Sequence, residues 1–182
     1  MPAPLPVTVT AGAHGPWRVT DIRPCLGATL PPAARLRVED GDATPDDGAW
    51  RLRGVTSNLR YTAEAERATL AGVQQGLGRP QASRAALIPI RKSAAWWDMA
   101  QDARRAVLEE ESRHIAIGLE YLPGVARRLI HSRDLGEPFD FLTWFEFAPE
   151  HEAGFDTLLS RLRATKEWGF VEREVEIRLA RD

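Results

Sequence analysis

The chain has 182 residues, 24 basic against 26 acidic side chains and a formal charge of −2, which excludes a sequence-blind nucleic-acid binder living on phosphate neutralisation. Its single cysteine, Cys25, excludes an internal disulfide, multi-cysteine metal sites and covalent haem attachment through C-x-x-C-H. No apolar run approaches the ~20 residues of a bilayer span, and the start, Met1 to Pro6, has neither a basic n-region nor an apolar h-region, so a cytoplasmic globular protein with no membrane and no nucleic-acid partner is expected.

Eight of the 13 prolines fall in the first fifty residues, which predicts a turn-rich, short-stranded N-terminal part. Trp17 to Ile22, Arg35 to Val38 and Trp50 to Val55 alternate as half-buried strands do, with a turn predicted over Thr44 to Gly48. Thr62 is the expected N-cap of a helix with Glu64 and Glu66 in its first turn, running toward Gly76 and stopping before Pro80. Ala85 to Ile90 is a short apolar strand, and its Pro89 predicts an edge or a strand end.

A long helix is predicted over Gln101 to Tyr121, with Ala103, Val107, Glu110, His114, Ile117 and Tyr121 on one face. Leu122-Pro123-Gly124 stops it. Arg127 to Ser132 and Phe139 to Phe147 read as two strands of a hairpin. Pro149 opens a second helix with Phe155, Leu158, Leu159 and Leu162 as its buried stripe, and Val171 to Leu179 alternates as the last strand. The order strand, helix, strand, strand, helix, strand is that of a ferredoxin-like unit, an α+β fold. Two parts are expected: residues 1–80, strand-rich and truncated, and residues 81–182, the βαββαβ unit. Helices on one face leave the other face of the sheet to a partner sheet or a ligand. A homodimer is one answer, with Trp144, Phe145 and Trp168 as candidates for a shared core.

Within the apolar helical face, His114 reads either as a core histidine satisfied by a carbonyl or as an axial metal ligand. Gly118, one turn later, offers close backbone approach to something flat. No H-E-x-x-H zinc pattern accompanies it. Arg127 and Arg128 are sent to opposite faces by strand alternation, so one of them at most reaches a pocket over the sheet. The two lysines, Lys92 and Lys166, stand beside 22 arginines; Lys92 follows an apolar strand and precedes Trp96-Trp97, where it either snorkels to solvent or is held near a pocket.

Taken together, Ala85 to Trp97, Glu111-Ser112-Arg113-His114, Tyr121-Leu122-Pro123, Ala126-Arg127-Arg128-Leu129, Glu137 to Phe141, Phe145-Glu146-Phe147 and Leu162 to Trp168 resemble the chlorite dismutase family, in its short, dimeric branch. The resemblance is densest over residues 54–180 and implies a ferredoxin-like dimeric α/β-barrel. It implies one non-covalent haem b per subunit, with His114 as the iron ligand and Glu167 accepting a hydrogen bond from its other ring nitrogen. Lys92 is implied as Glu167's companion and Trp96 as a tryptophan packed by the haem. Arg127 and Gln74 match distal catalytic positions, and Arg128 is then the outward neighbour. The activity implied is conversion of chlorite to chloride and dioxygen, through a ferryl and hypochlorite pair that joins the two oxygens. Chlorite and other small anions are the implied partners. Two other functions share the scaffold: a coproheme decarboxylase-like enzyme, for which porphyrin is substrate, and a cofactor-free ferredoxin-like dimeric binding module.

Overall fold

The computed structural model describes residues 5–43, 48–58 and 61–182, so Thr44 to Asp47 of the expected turn lie outside the described residues. Eight antiparallel strands form a closed barrel. They are β1 (Pro6–Gly12), β2 (Trp17–Leu26), β3 (Arg35–Asp40), β4 (Trp50–Thr56), β5 (Arg84–Lys92), β6 (Val125–His131), β7 (Phe141–Phe147) and β8 (Val171–Arg181). Around the barrel the order is β1-β3-β2-β8-β5-β7-β6-β4, and its β8-β5-β7-β6 half is the ferredoxin-like order. Among the described residues, five α-helices accompany these strands: α1 (Glu64–Val73), α2 (Ala94–Asp98), α3 (Gln101–Arg105), α4 (His114–Tyr121) and α5 (Glu152–Arg163).

The alternation Val7-Thr8-Val9-Thr10-Ala11 sends Val7, Val9 and Ala11 inward, where they are buried. They meet Leu36, Leu52, Leu87, Ile130, Leu142 and Ile177 in the barrel core. Trp17 packs edge-on against Trp144 there at 5.4 Å between ring centroids, a contact worth roughly 0.5–1.5 kcal/mol beyond its area. The sheet face that seemed to need a partner is thus covered by the chain's own first four strands. Trp144 belongs to this core, Phe145 packs on Phe155 at 5.0 Å, and Trp168 donates its indole N–H to Glu174 at 2.8 Å, all within one chain.

The opposite face of β5–β8 lies under the helices. Phe155, Leu158, Leu159 and Leu162 form the i, i+3, i+4, i+7 stripe of α5 and are buried against Phe145 and Phe147. Glu152 in the first turn and Arg161 and Arg163 in the last suit the helix dipole.

Four local expectations are corrected. The N-cap of α1 is Ala63, not Thr62, and its N–H is taken by the Glu66 carboxylate at 2.8 Å. That helix ends at Val73, short of Gly76. Pro89 sits inside a central strand, paired with Leu142 of β7; the ladder to β8 has no pairs at Ile88 and Pro89, which is where a missing N–H costs nothing. The long helix over Gln101 to Tyr121 is three pieces: α3, a π-helical stretch over Ala106–Glu111, and α4. Arg113 between the last two is left-handed, at φ 55°. No glycine or proline marks that break, so the heptad-like spacing ran straight across it.

Candidate functional site

One face of each central strand supplies one wall of a pocket. Ile88, Ile90 and Lys92 alternate along β5, Arg127 and Leu129 along β6, and Phe141, Thr143 and Phe145 along β7. The helices supply the rest, through Leu70 of α1, Trp96 of α2, His114 and Gly118 of α4, and Leu158 of α5. The cavity has about 1080 Å³ of empty volume, its open mouth included, and its walls are mostly apolar.

At one side of this cavity three charged groups form a chain. The Nδ1 atom of His114 lies 2.5 Å from Glu167 Oε2, and Lys92 Nζ donates to Glu167 Oε1 at 2.5 Å. Lys92 and Glu167 are both buried, and the Lys92 ammonium also sits 3.6 Å from the centroid of the Trp96 ring. Burial pushes the Glu167 carboxyl up, but the His114 ring and the Lys92 ammonium beside it hold it down at about 2. Burial pulls the Lys92 ammonium below its ordinary value, with Glu167 opposing. Glu167 is therefore an acceptor on both oxygens, which leaves Nε2 of His114 as the donor atom of the ring in the cavity. Backbone bonds fix both partners: the Glu167 N–H donates to Ser112 Oγ at 2.9 Å, and the Lys92 N–H to Asp140 Oδ2 at 2.7 Å.

Arg127 also lines the cavity. Its guanidinium makes one long contact to the Asn58 carbonyl, at 3.5 Å, and has no carboxylate beside it among the described residues. Burial alone pulls its pKa below the usual arginine value, and a guanidinium stays protonated at any pH of interest. Arg128, as alternation requires, faces away from the cavity. It is not a solvated outward neighbour, however: it shares the barrel side of β6 with Ile130, donates to Thr56 Oγ1 at 2.9 Å and pairs with Asp40 at 2.7 Å. Gln74 is not among the residues that line the cavity; its amide donates to the Arg127 carbonyl oxygen at 3.1 Å and so touches the backbone of a residue that does.

The cavity fits a flat, acid-edged macrocycle on three observations. A Cβ built on Gly118, one turn after His114, meets nothing within 4 Å, so that stretch of wall is open to a flat neighbour. Trp96 Nε1 and the Tyr61 hydroxyl, both lining the cavity, are buried donors without a hydrogen-bond partner among the described residues. Their rings meet edge-on at 6.1 Å, so both residues stand at one part of the wall. Tyr61, Ser112 and Asp140 carry no mark of a site role in the sequence. Tyr61 stands in a left-handed turn at φ 65°, where no periodicity signals a direction. Ser112 and Asp140 act on neighbours 55 and 48 positions away, which spacing along the chain does not reveal.

Comparison with known proteins points one way. The family model described as chlorite dismutase matches residues 49–181. A curated chlorite dismutase from Ideonella dechloratans is 34% identical over 97 residues; the match covers 52% of this chain and 33% of that protein, so the chain spans about a third of its curated relative. The crystal structure of a dimeric chlorite dismutase from Nitrobacter winogradskyi is 55% identical, with a TM-score of 0.90, over 97% of this chain and 99% of that one. Chlorite dismutase from Candidatus Nitrospira defluvii, in complex with imidazole, is 28% identical with a TM-score of 0.59, over 80% of this chain and 56% of that chain.

Proposed function

The chain belongs to the chlorite dismutase family, and we propose that it is a haem enzyme converting chlorite to chloride and dioxygen, with one haem b held without covalent bonds in each subunit. The observation that carries this reading is Arg127: a cation with no carboxylate partner among the described residues, in the same apolar cavity as the His114–Glu167–Lys92 chain. A buried guanidinium left unpaired by the protein is a site for an anion.

Haem iron, when bound, supplies the redox centre at which the oxygens of chlorite are rearranged. His114 would hold that iron, Nε2 being the ring nitrogen that Glu167 leaves free. Glu167 accepts the Nδ1 proton, fixing the ring's tautomer and raising its donor strength, and Lys92 compensates the carboxylate so that it can stay ionised while buried. Trp96 packs against the Lys92 ammonium and, with Tyr61, would form part of the wall that encloses the haem.

Arg127 would draw the chlorite monoanion into the cavity and would retain hypochlorite, the one-oxygen anion, there. A planar donor fork suits both anions better than a point charge. Gln74 acts on this residue indirectly, by holding its carbonyl. Among the described residues that line the cavity near Arg127 there is no histidine or carboxylate other than the His114–Glu167 pair, and that pair is engaged with itself. A proton shuttle of the peroxidase kind has no candidate there.

The test is an oxygen electrode. Haem-loaded protein given chlorite is expected to release oxygen and chloride in equal amounts, while the haem-free protein given coproheme and peroxide yields no decarboxylated porphyrin. Decarboxylation without oxygen release would overturn the proposal.

A further inference from the structure

The helix that carries His114 begins at a break. After the π-helical stretch the chain passes through Ser112 and the left-handed Arg113, and α4 starts at His114 itself. Such a start leaves the first N–H groups of α4 without partners, and the N-cap residue, Arg113, offers them no side-chain bond. Glu109 replaces the missing cap from below. Its Oε2 accepts the Ile115 N–H at 2.7 Å and its Oε1 the Ala116 N–H at 3.3 Å. Its backbone carbonyl accepts the N–H groups of Ser112 and of Arg113, the latter at 2.9 Å. A single residue therefore stitches both sides of the break. The span it closes contains Ser112, whose hydroxyl holds the backbone of Glu167, and ends on His114.

From this we infer that Glu109 is a positioning residue for the iron-binding histidine. It acts in two ways. Geometrically, it fixes the first turn of α4 and so sets the His114 ring against Glu167, where a change of a few tenths of an ångström spoils the 2.5 Å contact. Electrostatically, its carboxylate offsets the positive end of the α4 dipole, which would otherwise lie against the imidazole and reduce its donor strength. Glu110, its neighbour, is exposed and, among the described residues, bonds to no N–H of α4, acting electrostatically on Arg105 instead, so it has no comparable role.

The inference rests on His114 being the haem ligand, and the experiment separates the two. Haem-loaded wild type, Glu109→Ala, Glu109→Gln and Glu110→Ala are compared by the iron–histidine stretching frequency, the reduction potential and the rate of haem transfer to apomyoglobin, and His114→Ala is mixed with haem and its absorbance and Raman spectra recorded. In Glu109→Ala the stretching frequency is expected to fall, the potential to move positive and haem transfer to quicken about tenfold, as the loss of a helix cap predicts. Glu109→Gln keeps one oxygen acceptor without the charge, so it restores the stretching frequency in part and the potential hardly at all. Glu110→Ala matches wild type. In the haem-free protein, amide exchange at Ile115 and Ala116 quickens in Glu109→Ala. A Glu109→Ala protein that loses only thermal stability, with stretch, potential and haem transfer at wild-type values, would overturn the inference; if that variant does not fold, Glu109→Gln with a wild-type potential and stretch does so. A histidine-type spectrum surviving in His114→Ala would instead overturn the ligand assignment beneath it.

Discussion

The most consequential residues are the ones whose charge has nowhere else to go. Glu167 is buried between His114 and Lys92, and each of the three depends on the other two. Glu167→Gln is expected to lower the electron donation of the imidazole and shift the iron reduction potential positive, read by spectroelectrochemistry. The same change leaves the Lys92 ammonium buried without its counter-ion, a loss on the order of 3 kcal/mol in a denaturant titration of the haem-free protein. Because the Glu167 carboxyl is held below its unfolded value, its contribution is complete above about pH 4.5 and is lost as pH falls toward about 2. His114→Ala is expected to abolish stoichiometric haem binding in an absorbance titration, whereas alanine at His14 or His151 leaves it intact. His131 differs from those two, being buried and packed on Phe141 at 5.3 Å, so its removal lowers stability without touching the iron.

At the scale of elements, the chain's pattern spoke clearly wherever burial has a period. The α5 stripe, the hairpin of β6 and β7 and the alternation of β8 follow directly from their residues, because each element has one apolar face and one core to meet. The pattern failed where two elements meet out of phase. A π-helical stretch inserts extra residues per turn without any change of composition, so Glu110 and His114 were given a common face that the break before α4 removes. Glu174 and Glu176 alternate with the apolar residues of β8, yet both are buried, because Arg163 and Arg178 cover them with ion pairs at 2.5–2.7 Å. The barrel's closure was equally silent, since it depends on the two-pair seam between β4 and β6, Val55 with His131 and Thr56 with Ile130. Gly54 beside that seam is where closure is tightest. A Cβ there would lie 2.4 Å from Ile130 Cγ2 and 2.7 Å from the His131 carbonyl oxygen. Gly54→Ala is therefore expected to cost about 1–3 kcal/mol in thermal or denaturant unfolding, with haem-site residues untouched.

For the whole molecule, closure of the barrel within one chain changes the argument for assembly. The inner sheet face needs no second copy, so a homodimer must form through the outer surface. The homodimer proposed here rests on the dimeric relative that superposes over 97% of the chain. Light scattering on haem-loaded protein at micromolar concentration is expected to give twice the chain mass, and a monomer would contradict it. The candidate site was legible in the sequence only as an ordered set of residue types, His114, Arg127, Lys92, Trp96 and Glu167, set on different elements. What brought them together was the fold: β5 and β6 lie on either side of β7 and present Lys92 and Arg127 to one cavity, while α4 and the turn before β8 close the proximal side. The central claim, that an unpaired arginine in this cavity keeps chlorite oxygens together, is tested most directly by the total oxygen released per haem before inactivation, measured with and without a hypochlorite scavenger. Wild type is expected to be little affected by the scavenger. Arg127→Ala is expected to bind haem normally, release less oxygen and bleach sooner, with the scavenger prolonging its life, and Arg127→Lys to recover only part of the loss. An Arg127→Ala enzyme that equals wild type in rate and in total oxygen would contradict the account.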